Sequence, residues 1–204
     1  MDNLKPYEKI IKEATEGCIM TEFDDGKGGS YPYCILPIES RFEPEFMMAV
    51  ADGMIDMLNA ELGKSTCLTV PEAKAFLVAP LIIARTGLPI VVLKKNRDYK
   101  VPGQVIIEQC DHAYKGESTF FATGFRNGDR PLIIDDMISS GLTDIGIIPV
   151  LNGRGYHVVG VGSLYERGDG IVKIKDATGY DAKGLVRLEI IEGRPFVPYF
   201  WRPK

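Results

Sequence analysis

The chain predicts an α/β fold, a central parallel sheet flanked by helices. Short apolar runs of strand length, at 65–70, 89–93, 131–134 and 156–164, alternate with stretches of helical spacing. Strands joined by helical crossovers give that alternation and form a parallel sheet covered on both faces. The segments with the most chemical character, 71–74, 94–95 and 135–143, all lie just beyond predicted strands. Open parallel sheets bind their ligands at that end.

Taken in order, Leu4, Tyr7, Ile10 and Ile11 have helical spacing with charges between them, predicting a helix over 4–16. Residues 23–30 form a glycine-rich loop without the spacing or terminal Gly-Lys-Ser/Thr of a phosphate loop, so a flexible hairpin connection is expected. Tyr31 to Ile38 reads as extended chain broken by Pro32 and Pro37. Glu43-Pro44-Glu45 opens an amphipathic helix over Phe46–Leu62. The strand at Ser65–Val70 ends in Pro71-Glu72-Ala73-Lys74, Ala75–Thr86 is helical and closes at Gly87, and Pro89–Leu93 runs into Lys94-Lys95. Residues 104–123 read as two strands around a polar tip, a hairpin suited to folding over a site and excluding water. Helical spacing from Ile145 to Leu151 follows the strand at 131–134, then a strand over Tyr156–Leu164, a sharp turn at Tyr165–Gly170 and a tail.

A length of 204 residues suits one domain over 1–204, with about 1–40 and 165–204 as appended elements. A net charge of −4 argues against nucleic acid as the main partner. No apolar run approaches the ~20 residues of a membrane span, and the N-terminal stretch is too charged for a secretory signal. Cys18, Cys34, Cys67 and Cys110 are scattered without a CxxC pair, which favours free buried thiols in a reducing cytoplasm. His112 and His157 are too few for a histidine-rich metal site.

The densest motif runs from Arg130 to Thr143, an apolar strand delivering Asp135 and Asp136 to its C-terminal end and then a turn with Ser139, Ser140, Gly141 and Thr143. The first N–H groups of a helix lack internal partners and its dipole favours negative charge, so the turn is an anion site. Carboxylates touching that anion would repel it. They make sense against another part of the same ligand, such as sugar hydroxyls, and a sugar phosphate satisfies both halves. An ordinary strand ending in a Ser/Asp-capped turn is the competing account. Lys94-Lys95 stands where a polyanion needs a second contact, although clustered lysines also form solvated surface runs.

This stretch resembles the phosphoribosyl-diphosphate (PRPP) motif of the type I phosphoribosyltransferases, with Leu142 where many members carry a second glycine. Lys94-Lys95 with Val101-Pro102-Gly103 resembles a segment of the purine enzymes, and Glu72-Ala73-Lys74 resembles their pyrophosphate loop. The Tyr165-Glu166-Arg167-Gly168-Asp169-Gly170 turn and Pro44-Glu45 look like archaeal-type hypoxanthine/guanine phosphoribosyltransferases. The resemblance implies the type I fold with a small hood and a flexible lid over 96–123. It implies purine salvage, with the phosphoribosyl group of PRPP passing to hypoxanthine or guanine and pyrophosphate released. Asp135 and Asp136 would hold the ribose and Ser139, Ser140, Gly141, Leu142 and Thr143 the 5′-phosphate. Glu72, Ala73, Lys74, Lys94 and Lys95 would meet the diphosphate, with Mg²⁺ bound through PRPP, Asp135 and Asp136. Ile138, Leu164, Tyr165, Ile35 and Leu36 would contact the purine. Ser139 occupies the position of the animal-type catalytic aspartate, so Glu108 on the lid stands in as general base. A cytoplasmic homodimer is implied. Adenine transfer, weaker orotate or uracil transfer, and a non-catalytic PRPP-binding regulator are the alternatives.

Overall fold

The computed structural model describes residues 4–24, 29–41, 43–95, 102–112 and 116–203. Five parallel strands form the central sheet in the order β4-β3-β7-β8-β9, comprising β3 (Cys67–Pro71), β4 (Ile90–Leu93), β7 (Pro131–Ile138), β8 (Gly160–Glu166) and β9 (Ala182–Arg187). Strand β7 is central, pairing with β3 through Leu132↔Leu68 and with β8 through Ile133↔Val161. Its side chains alternate between layers: Leu132 and Ile134 join one apolar core, and Ile133 joins the other. Both faces are therefore covered, which accounts for the unbroken apolar run at 131–134.

On one face lie α1 (Pro6–Glu16), α2 (Pro44–Met57), the short α3 (Asn59–Leu62) and α4 (Ala75–Thr86). The predicted helix over Phe46–Leu62 thus starts two residues earlier and breaks after Met57. On the other face lie α5 (Leu142–Gly153) and α6 (Gly170–Thr178). The sequence reading had only a turn and tail where α6 forms, because a nine-residue helix burying only Gly170 and Ile174 carries little periodic signal.

Two hairpins extend from this body. Strands β1 (Ile19–Asp24) and β2 (Ser30–Ile35) pair antiparallel around the glycine-rich segment, whose residues 25–28 lie outside the described residues. A 3₁₀ turn at Pro37–Glu39 follows. Strands β5 (Val105–His112) and β6 (Gly116–Ala122) form the expected hairpin, docked on the sheet edge where the Lys94 and Phe121 backbones exchange hydrogen bonds of 2.9 and 2.8 Å. Residues 96–101 of the expected lid lie outside the described residues.

The tail adds β10 (Glu189–Ile191) and β11 (Arg194–Phe196), then returns to α1. Glu8 is fully buried there, and its carboxylate accepts the Lys5 N–H at 2.8 Å and both terminal nitrogens of Arg202. A buried carboxylate is costly when its partner is removed. Because Arg202 is itself half-exposed, Arg202→Ala is expected to lower unfolding free energy by about 2 kcal/mol, read from the urea midpoint at constant m-value.

Candidate active site

The C-terminal ends of β3, β4, β7 and β8 open into one cleft of about 370 Å³. Its lining includes Glu72, Ala73 and Lys74 after β3, Lys95 after β4, and Asp135 through Asp144 from β7 into α5. The hood strand β2 contributes Tyr33 and Cys34, and Leu36 follows it. Three separate segments singled out by sequence therefore meet around a single space.

Strand β7 continues to Ile138, so the paired acids sit within the strand and not at its end. Alternation places Asp135 toward α5, where it feels Asp144, and Asp136 toward the hood, where it feels Lys74 and Glu39. The Asp136 N–H donates to Asp135 Oδ1 at 2.8 Å. Burial, followed by repulsion from Asp136 and Asp144, pushes the Asp135 carboxyl well above the usual range, and burial also raises Asp136.

The bend after β7 is held by backbone packing. Gly141 adopts φ +74°, a conformation that L side chains rarely take. A Cβ there would lie 2.6 Å from the Gly170 carbonyl oxygen, and one on Gly170 would lie 2.5 Å from the Ser139 carbonyl oxygen. The Arg167 N–H donates to the Ile138 carbonyl at 2.9 Å, so β8 buttresses the same bend. Helix α5 begins immediately afterwards and presents its first turn, with Leu142 and Thr143, to the cleft.

On the opposite side, the Glu72 carboxylate accepts the Lys95 N–H at 2.7 Å, joining the ends of β3 and β4. The Glu72–Ala73 peptide is cis. Lys95 Nζ lies 6.0 Å from the Phe120 ring centre, under the β5–β6 hairpin.

Several expected contacts fall elsewhere. Leu164 and Tyr165 are fully buried in the core, because β8 runs on to Glu166 and carries them inside the sheet; they do not reach the cleft. Ile35 lines a separate groove beside α1, and Lys94, whose backbone pairs with Phe121 at the sheet edge, is not among the residues that line the cleft. Ile138 and Leu36 do line the cleft. Glu108 has its backbone in β5, and its side chain lies outside the described residues. The sequence reading missed Tyr33, Cys34, Asp144, Arg167 and Leu188, which all line the cleft.

Asp144 is the least expected of these, a carboxyl 1% exposed with no hydrogen-bond partner on Oδ1 among the described residues. Burial, reinforced by the charge of Asp136, pushes it up to about 7. Helical N-termini commonly carry acids in their first turn, so only its burial in the tertiary fold marks it out.

A phosphoribosyl transferase domain model matches residues 43–184. The hypoxanthine/guanine phosphoribosyltransferase of Methanobacterium paludis is 31% identical over 191 residues, covering 92% of this chain and 94% of that protein. The enzyme of that name from Methanococcus voltae is 34% identical over 188 residues, covering 91% and 95%. Among solved structures, adenine phosphoribosyltransferase from Trypanosoma brucei, in complex with AMP, pyrophosphate and ribose-5-phosphate, superposes with a TM-score of 0.71 at 17% identity, covering 92% of this chain and 82% of that one. The adenine enzyme of Thermoanaerobacter pseudethanolicus gives 0.68 at 20% identity, covering 88% and 98%. At these identities the structural matches establish the fold alone.

Two outcomes follow from this geometry. Gly170→Ala should cost about 2 kcal/mol through overpacking against Ser139 and Gly141, read by thermal unfolding. For Asp144, the unfolded carboxyl ionises near 3.8 while the folded one keeps its proton to about 7. The folded state therefore binds the extra proton between those values, and stability falls as pH rises through the window. Asp144→Asn should remove this component, so the variant gains on the parent between pH 4 and pH 8 in chemical denaturation at both values. Architecture, cleft and sequence kinship agree: the chain belongs to the phosphoribosyl transferase family, a glycosyltransferase class of enzyme.

Proposed function

We propose that this protein transfers the 5-phosphoribosyl group of PRPP to hypoxanthine or guanine, giving the nucleoside monophosphate and pyrophosphate in purine salvage. The observation that carries this reading is the convergence of the 72–74 loop, Lys95 and the Asp135–Thr143 segment on one cleft. A phosphorylated ribose bearing a diphosphate needs those three kinds of contact at once. The 5′-phosphate takes the bend at Ser139–Thr143, its charge met by N–H groups at the start of α5. Asp135 and Asp136 take the ribose hydroxyls, and the diphosphate lies toward Glu72, Ala73, Lys74 and Lys95.

In the reaction a purine nitrogen forms a bond to the anomeric carbon as the bond to pyrophosphate breaks. Negative charge grows on the leaving group, so donors and cations fixed there lower the barrier. Mg²⁺ fits this site as a substrate-borne ion. Asp135 and Asp136 are desolvated, mutually repelling carboxyls that a nearby cation would relieve. Mg²⁺ is usually retained by phosphates and water with one or two carboxylates, a share that Asp135 and Asp136 could supply. When bound, the ion supplies charge neutralisation on the departing diphosphate.

The purine lies between the hood and β7, with Leu36 and Ile138 as its apolar walls. By resemblance, Ser139 stands where the animal-type enzymes carry the aspartate that acts as base, and Glu108 is the base proposed in its place. The same reading carries a cytoplasmic homodimer. Preference for 6-oxopurines over adenine follows the named archaeal relatives.

Pyrophosphate release with PRPP and a panel of adenine, hypoxanthine, guanine, xanthine, orotate and uracil tests the assignment. Hypoxanthine and guanine are expected to give the highest kcat/KM. The double variant Asp135→Asn/Asp136→Asn is expected to lose at least about 100-fold in kcat/KM, roughly the scale of removing important transition-state contacts. Full activity in that variant overturns the mechanism, and PRPP binding with no turnover on any base makes the protein a regulator.

A further inference from the structure

Glu39 ties the hood to the loop after β3 through a contact that the proposed reaction does not use. It closes the 3₁₀ turn, and its carboxylate is only 11% exposed. Oε2 accepts the Leu36 N–H at 3.0 Å, while Oε1 accepts both the Tyr33 hydroxyl and the Lys74 ammonium. Lys74 Nζ also stands 3.4 Å from the Tyr33 hydroxyl. Burial pushes Glu39 upward, but Lys74, Tyr33 and the Leu36 N–H outweigh it and hold the carboxyl below its usual range. Burial likewise works against the Lys74 ammonium, and Glu39 outweighs it to raise the lysine. Both groups are thus charged at neutral pH.

An ammonium has three donors. Glu39 and Tyr33 engage two of them, which leaves the third for the cleft that Lys74 lines. The Asp136 charge acts on the same ammonium from across that cleft. A free lysine gives up much rotamer freedom when it is fixed on a ligand, whereas this one is ordered beforehand. The opposing effect is neutralisation by Glu39. Water that reaches the half-exposed Lys74 side chain screens this effect in part.

We propose that Glu39 is a positioning residue: anchored in the hood, it holds the Lys74 ammonium ready for the leaving diphosphate and links the purine-covering hood to the diphosphate loop. The inference rests on the assignment of Lys74 to the diphosphate made above.

A double-mutant cycle on the full-length protein tests it, with the dissociation constant of inorganic pyrophosphate in the presence of Mg²⁺ measured by calorimetry. Lys74→Ala is expected to weaken binding. Glu39→Ala is expected to weaken it about tenfold in the parent, the scale of ordering one long side chain, and to add nothing once Lys74 is absent. Glu39→Gln retains an acceptor and should fall between parent and Glu39→Ala; it also serves if the alanine variant does not fold by circular dichroism. Additive losses, or pyrophosphate binding unchanged or tighter in both Glu39 variants, overturn the positioning role and leave the diphosphate assignment standing. An unchanged constant in Lys74→Ala removes that assignment and the positioning role with it.

Discussion

The bend after β7 and the turn after β8 meet backbone to backbone, and the site is built on that contact. Neither Gly141 nor Gly170 leaves room for a side chain at their junction, so the Ser139 carbonyl and the Gly170 backbone settle into direct apposition. This closeness fixes where α5 begins and therefore where its unpaired N–H groups point. It also brings Arg167 to the cleft wall, since its own N–H is held by Ile138. Packing at one end of two neighbouring parallel strands thus sets both the bend into α5 and the part of the cleft wall that Arg167 supplies.

Charge is distributed unevenly around that frame. Asp135, Asp136 and Asp144 crowd the β7 side, and burial pushes each toward its neutral form. Lys74, Lys95 and Arg167 stand around the same space from three other segments. A ligand with hydroxyls at its centre and phosphates at its ends matches this arrangement, because the acids accept from the former while N–H groups and cations meet the latter. Gathering three desolvated acids in one place has an electrostatic cost, which goes with a preorganised site. Glu39 belongs to the same logic, as it orders a cation before any ligand arrives.

Much of the fold could be read from local patterns. The apolar runs at 89–93 and 131–134 mark strands buried on both faces, and the glycine after Thr86 marks the end of α4, where Gly87 takes φ +71°. The Asp135-Asp136 pair and the small polar bend beyond it are legible because strand, acids and turn are contiguous. Helix α6 and the precise reach of β7 and β8 were not legible. Each depends on a few residues whose state is decided by the partner strand or layer, and the extension of β8 past Leu164 to Glu166 is what puts Tyr165 inside the core instead of in a turn.

By itself the sequence determined the layered parallel architecture, the place of the acid pair and of the small polar bend beside it, and the three segments that line the cleft. These are matters of periodicity and of neighbours in the chain. Tertiary structure alone decided that Asp144 would be buried beside the other acids, that Glu39 would reach Lys74 from 35 residues away, and that Tyr33 and Cys34 would close the cleft from the hood. Burial and long-range ion pairing are properties of surfaces brought together by folding, and no local pattern encodes which surfaces meet.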